Sequence, residues 1–191
     1  MGTCAYYFWR TILEKQMITI FYDLDGVLAD YDSYWNDSKK FNRERFKKEV
    51  LQNNMFEELQ TLNSGCTLLL DIRDYLINNK IKYNFQVLSS LGSPNDEVLA
   101  QEVARQKSSW IDSRFTSLFS NLNFTKHKGI KKQFATPTSI LIDDTEQNIF
   151  DFNECHGHGI LFNNDMDYDT ILKQVIDTID IVHAKTLRKI Y

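Results

Sequence analysis

Four aspartates in two close pairs are the residues of this chain best suited to chemistry. Asp23 and Asp25 stand one residue apart at the end of the apolar run Ile18-Thr19-Ile20-Phe21-Tyr22, and Gly26 follows them. Asp143 and Asp144 are adjacent at the end of a second run, Ser139-Ile140-Leu141-Ile142. In the first pair one carboxylate can attack while the other handles a proton, with a hard cation holding both. The second pair enlarges the oxygen donor set. Mg2+ takes octahedral oxygen ligands and keeps water and substrate phosphate among them. An acidic turn without chemistry is the plain alternative for either pair, because Asp-Gly is common in turns. Recurrence of the pattern after two apolar runs argues against it.

The elements that must position these acids follow from hydrophobic patterning. Both runs read as buried strands, at 18–23 and 139–142. A third strand is expected at 83–88, ending in Ser89-Ser90, a short one near 118–124 and a last one at 159–162. The stretch from about 31 to 79 reads as mainly helical, with a core helix near 67–79 after Ser64-Gly65-Cys66. Further helices are expected at 95–113, 131–135, 146–155 and 168–188. Strands alternating with helices imply an α/β, Rossmann-like parallel sheet sandwiched by helices. Strand C-termini then share one edge, where ligands bind in the crevice. Residues 31–66 would form a small helical cap inserted after the first strand, placed to close the site and read the substrate. The expected division is an N-terminal extension at 1–16, a core of 17–30 and 67–191, and the cap at 31–66. Met17 is a plausible natural start. Alternatively the leader is a helix whose Tyr7, Phe8, Ile12 and Leu13 pack on the core.

Composition narrows the classes. At 191 residues, with 42% hydrophobic and 25% charged residues, the chain is an ordinary globular domain. A formal net charge of −4 gives no general pull toward nucleic acid or anionic membrane. Cys4, Cys66 and Cys155 are widely separated, which fits a reducing compartment and argues against a disulfide framework or zinc site. No apolar run approaches the length of a membrane span, and a cytoplasmic location is expected (host cytoplasm if phage-encoded). The four histidines form no site; His156 and His158 flank Gly157 in a turn-like stretch.

Four pieces stand in order: Asp23-x-Asp25, Ser89 at a strand end, a lysine among Lys126, Lys128, Lys131 and Lys132, then Asp143-Asp144. This series resembles the haloacid dehalogenase-like hydrolase superfamily over about Ile18 to Phe162. DLDGVLAD and the hydrophobic-Ile-Asp-Asp element are most similar to the 5′(3′)-deoxyribonucleotidase group and related small phage and bacterial proteins. The resemblance implies that superfamily's fold and a Mg2+-dependent phosphatase. Asp23 would be the nucleophile that forms an aspartyl-phosphate. Asp25 would protonate the leaving oxygen and then activate water. Ser89 would donate to a phosphoryl oxygen, with Ser90 and its backbone N–H beside it. An ammonium offsets the gathered negative charge; in Lys131-Lys132-Gln133-Phe134-Ala135 the match is Lys131, with Lys128 second. By analogy Asp144 is the direct metal ligand and Asp143 a supporting or alternative one, completed by Asp23 and the backbone carbonyl of Asp25. Asn148 would support the loop or simply cap its helix.

The expected substrate is a small phosphate ester, first a (deoxy)nucleoside 5′-monophosphate. Tyr31, Tyr34, Trp35 and Phe41 offer stacking faces for a base or form the cap's own core; Tyr31 and Trp35 are the substrate candidates. The basic residues Lys39, Lys40, Arg43, Arg45, Lys47 and Lys48 could meet a polynucleotide end, but a solvated helix face is the default. A phosphatase for polynucleotide ends or another small ester, and a binding module of the same fold without turnover, are the rival readings. A small cap leaves an open site that a second copy could cover, so a homodimer is also considered.

Overall fold

The computed structural model describes residues 17–35, 42–92 and 95–188. The expected extension at 1–16, and Lys39, Lys40 and Phe41, lie outside the described residues. Five strands form one parallel sheet in the order β3-β2-β1-β4-β5. They are β1 (Ile18–Tyr22), β2 (Tyr83–Ser90), β3 (Asn121–Thr125), β4 (Ser139–Asp143) and β5 (His158–Leu161). The near-continuous apolar runs of β1 and β4 are the mark of strands buried on both faces, while the edge strands β3 and β5 are partly exposed.

The sheet has two differently covered faces. Ile18, Ile20 and Tyr22 of β1, with Val87, Ile140 and Ile142, join the larger core cluster. Helices α4 (Asn63–Asn78), α5 (Glu97–Arg114) and α7 (Tyr168–Arg188) supply its other side. The alternate residues Phe21, Leu88 and Leu141 face the opposite way. There they meet Phe152 of α6 (Glu146–Glu154), and Phe134 of a 3-10 helix (Lys128–Phe134) packs against the same cluster. Among the described residues no helix is long and apolar enough to cross a membrane.

Among the described residues between β1 and α4 lie three short helices, α1 (Tyr31–Tyr34), α2 (Arg43–Asn53) and α3 (Met55–Glu58). The chain leaves and returns through one narrow neck. Asp30 N–H donates to Gln60 C=O (2.9 Å) and Leu62 N–H to Leu28 C=O (2.8 Å). The segment is fastened to α5. The Gln106 amide accepts from Phe56 N–H (3.1 Å) and donates to Val50 C=O (2.7 Å), and Trp110 Nε1 donates to Leu59 C=O (2.7 Å).

Most element positions agree with the patterning to within a few residues, and α4 differs most. It begins at Asn63 rather than near 67. Ser64-Gly65-Cys66 has the composition of a turn, yet Gly65 sits inside the first helical turn because a Cβ there would run into the Val27 carbonyl. The missing side chain lets the helix press against the loop that carries the first acid pair. Gly→Ala in a helix normally stabilises by about 1 kcal/mol. At Gly65 the sign is expected to reverse, with a loss of about 1–3 kcal/mol from overpacking. Denaturant unfolding of Gly65→Ala checks this, and a variant as stable as wild type would refute the contact.

Candidate active site

The strand order places β1 at the sheet centre, where the chain turns from building outward through β2 and β3 to building through β4 and β5. Crevices at such a reversal are the usual ligand sites of open α/β sheets. Register brings the acids together: Tyr22 pairs with Ile142 in β4 and with Val87 in β2. Asp23 therefore emerges beside Asp143, with Ser89 on its other flank. Gly26, at φ +75°, turns the chain back, and a Cβ there would run into the Asp144 carboxylate. Its absence is what lets the two acidic loops approach. Carboxylate oxygens of Asp23, Asp143 and Asp144 lie within 4.8 Å of one another.

Side-chain alternation along the strands sorts these groups between the faces. Asp23 follows Phe21 by two residues and Asp143 follows Leu141 by two, so both emerge over the face covered by the 3-10 helix. Lys131 of that helix is 1% exposed and lies between them, 2.6 Å from Asp23 and 2.7 Å from Asp143. Ser89 follows Val87 and emerges over the α5 face. There Lys107, fully buried, donates to Ser89 Oγ (3.0 Å), Ser90 C=O (2.8 Å) and Asp25 Oδ2 (2.7 Å).

Of the four lysines considered from sequence, Lys131 is the one placed against the acids. Lys126 and Lys132 are exposed, Lys132 lying 3.7 Å from Asp151, and the Lys128 side chain is outside the described residues. Lys107 was not anticipated. Its signal was available: it sits among Leu99, Val103, Gln106, Trp110 and Ile111 on the buried stripe of α5. A lysine at a core position of an amphipathic helix needs a buried anion.

The adjacent acids of β4 have different surroundings. Asp143 is completely buried. Its Oδ1 accepts from Thr145 N–H (2.9 Å) and Asn148 Nδ2 (2.9 Å), and its Oδ2 from Lys131 and Asn148 (3.0 Å). Asn148 thus grips the acidic loop. Asp144 is exposed and lines the cavity. Burial works against every charge here. For Asp23 the ammonium groups of Lys131 and Lys107 outweigh it and hold the carboxyl below its usual range. For Asp143, burial and then repulsion from Asp23 prevail and push the carboxyl up. Asp25 is also raised, by burial and by Asp23, against the pull of Lys107. Lys131 is raised despite burial, because two carboxylates hold its proton.

Four carboxylates thus share two ammonium groups among the described residues. With all ionised, the shortfall equals the charge of one divalent cation. Oxygen-only donors at this spacing fit Mg2+. Asp23 and Asp144 would hold it, with Asp143 fixing the loop beneath.

The cavity over the acids measures about 340 Å3 and is lined by Asp23, Asp25, Tyr31, Phe46, Phe56 and Ser90 among others. Tyr31 stacks on Phe56 (centroids 6.2 Å, 20° between planes). Trp35 lies outside the lining, packed against Tyr31 and Tyr34 with Arg45 over its ring at 5.0 Å. The basic run is partly engaged as well, with Lys47 paired to Asp96 at 2.9 Å.

No family model and no curated protein matches the sequence. Solved structures are similar at low identity. A haloacid dehalogenase family enzyme of Bacteroides thetaiotaomicron, in complex with magnesium and inorganic phosphate, is 13% identical, covering 81% of this chain and 98% of its own at a TM-score of 0.45. A family IA hydrolase of Entamoeba histolytica is 13% identical, with 87% and 99% covered and a TM-score of 0.46. A predicted hydrolase of the same broad type from Porphyromonas gingivalis is 13% identical, with 84% and 98% covered and a TM-score of 0.43. The chemistry of the site stands on its own geometry.

The shifts set a pH signature. Asp23, lowered in the fold, contributes stability that is present above its unfolded value of about 3.9 and is lost as pH falls through the folded one. Asp143 and Asp25, raised, contribute the reverse: their stability is present at low pH and lost as pH rises toward their folded values. Bound Mg2+ offsets that loss. It is therefore expected to raise the melting midpoint more at pH 7.5 than at pH 5, with about 2.7 kcal/mol gained at a hundredfold excess over Kd. Asp144→Asn should remove most of the Mg2+ response. A response that is larger at pH 5, or unchanged in the variant, would count against this donor set.

Proposed function

We propose that this chain is a Mg2+-dependent phosphomonoesterase of the haloacid dehalogenase-like superfamily. It would work through an aspartyl-phosphate, with residues 31–66 serving as a small cap. The observation that carries the reading is Asp23 held ionised and buried between Lys131 and the Ser89 hydroxyl, at the floor of a cavity, with Asp25 in its wall. An ionised carboxylate at that point is a nucleophile, and the raised Asp25 is a carboxyl able to give up a proton.

In the first step an Asp23 oxygen bonds to phosphorus, the ester P–O bond breaks, and the leaving oxygen takes the Asp25 proton. In the second step water loses a proton to the Asp25 carboxylate and bonds to phosphorus. The bond to Asp23 breaks, and inorganic phosphate leaves. Ser89 and the Ser90 backbone N–H would donate to phosphoryl oxygens, while Lys131 keeps Asp23 charged and in place. Mg2+, held by Asp23, Asp144 and the Asp25 carbonyl, would supply charge neutralisation for the phosphoryl oxygens.

A (deoxy)nucleoside 5′-monophosphate is the substrate favoured. The cavity volume is at the small end of ligand sites, and the described lining pairs one phosphate-sized acidic floor with the aromatic faces of Tyr31, Phe46 and Phe56. No lysine or arginine is among its described lining residues, which speaks for one phosphate rather than a polynucleotide. Phosphate release should be screened over nucleoside monophosphates, sugar phosphates and phosphorylated oligonucleotides, with Mg2+ and with chelator. Release from the first group, lost with chelator, is the expected result; preference for the oligonucleotides would replace the substrate assignment. Asp23→Asn should lower turnover by on the order of 10³-fold or more with the fold retained. Residual wild-type turnover in that variant would refute the nucleophile.

A further inference from the structure

Lys107 has no part in the two-step chemistry just set out, yet it is among the most completely enclosed charges in the molecule. Its ammonium makes three short hydrogen bonds, to Asp25 Oδ2, Ser89 Oγ and Ser90 C=O. An ammonium has three donors, so all are used within the protein. It also lies 4.7 Å from the centroid of the Phe56 ring, a residue of α3 that lines the cavity. It is not itself among the cavity-lining residues. The neighbouring Gln106 binds the Phe56 N–H and the Val50 carbonyl, so one turn of α5 touches both the acid and the segment above it.

The two oxygens of Asp25 differ in consequence. Oδ2 is held by Lys107, while Oδ1 is buried without a hydrogen-bond partner. Asp25 follows β1 on a loop that turns at Gly26, so nothing in the strand fixes its side-chain torsion. A carboxylate next to three other acids would be driven outward by repulsion unless something held it in.

We infer that Lys107 is a positioning residue: by holding Asp25 Oδ2 it keeps the Asp25 carboxyl in the cavity wall, where the leaving oxygen and later the attacking water must exchange a proton. Through Phe56 the same ammonium fixes the roof of the cavity relative to that carboxyl. The inference rests on the phosphatase reading for its kinetic consequences and on the geometry alone for its structural one.

The test is a double-mutant cycle with Lys107→Met and Asp25→Asn, read on thymidine 5′-monophosphate and on 4-nitrophenyl phosphate. The nitrophenolate leaving group needs no proton, whereas the sugar oxygen does. Lys107→Met should slow the thymidine ester by on the order of 10²-fold. With 4-nitrophenyl phosphate it should still give a rapid burst of about one nitrophenolate per site, followed by slow turnover as the aspartyl-phosphate waits for its base. The double variant should be no slower than Asp25→Asn alone, since both changes remove one function. It also removes the uncompensated buried charge, so its comparison with Asp25→Asn still decides if Lys107→Met folds poorly: equal rates support the inference and a slower double variant overturns it. Equal losses on both esters without a burst, or fully additive losses in the cycle, would overturn the inference. Crystal structures of the wild type and Lys107→Met separate this from the parent reading. If the wild type turns over neither ester, that reading fails, and Asp25 alone then decides. Asp25 turned from its wild-type place supports the positioning role, and Asp25 unmoved overturns it.

Discussion

Bringing four carboxylates to one point at the edge of a sheet is electrostatically unfavourable, and the rest of this structure is arranged around that fact. Unit charges 4 Å apart repel by about 4 kcal/mol at an effective dielectric of 20, and Asp23 and Asp143 are almost entirely out of water. Lys131 sits within 2.7 Å of both. The 3-10 helix that carries it thus serves both side chains, while the Asn148 amide from α6 and the Thr145 N–H bind Asp143. Even so, two ammonium groups do not balance four acids. Burial raises the carboxyls of Asp143 and Asp25, and repulsion from Asp23 adds to it; a divalent cation held there would relieve that repulsion.

Helix α5 has a second task that its position in a sandwich would not require. One stripe of it enters the larger core through Leu99, Val103 and Ile111. The adjoining Gln106, Lys107, Trp110 and Arg114 reach instead to the segment between β1 and α4 and to the acid loop. Gln106 and Trp110 make buried bonds to that segment's backbone, Arg114 reaches the Leu59 carbonyl at 3.2 Å, and Arg105 pairs with Glu57 at 2.8 Å. Buried polar groups that lose a partner cost about 1–3 kcal/mol each. Lifting the segment away from α5 would expose or orphan several at once, so the height of the cavity roof is set by this helix.

What the sequence made legible follows from distance along the chain. Asp23, Asp25, Asp143 and Asp144 could be read because each pair ends its own apolar strand, and parallel strands must share an edge. Lys131 could be named but not separated from its neighbours, since in a seven-residue 3-10 helix nearly every position is a turn away from the sheet. Lys107 was missed because α5 lies far from either acid pair in sequence, and a helix with many polar residues resembles a solvated one until its stripe is traced. Gly65 misled for the opposite reason. Its local preference for a turn is real, but the approach of α4 to Val27 overrides it. Trp35 was grouped with Tyr31 on residue type alone. The structure divides them, Tyr31 toward the cavity and Trp35 into the aromatic packing behind it.

The sheet's alternation explains why one site needs lysines from two unrelated elements. Phe21 and Leu141 point to the face of α6 and the 3-10 helix, and two residues later Asp23 and Asp143 inherit that direction. Val87 points to the face of α5, and Ser89 inherits that one. A single lysine could reach only one of these directions, because the sheet itself lies between them. Lys131 comes from below and Lys107 from above, and they meet their anions only past the strand ends, where the sheet stops dividing them. Asp25, two residues beyond Asp23 on a loop that has already left the sheet, is free of the alternation and crosses to the α5 side. Asp23 and Asp25 are thus held from opposite faces, which keeps them close without leaving both to one ammonium group.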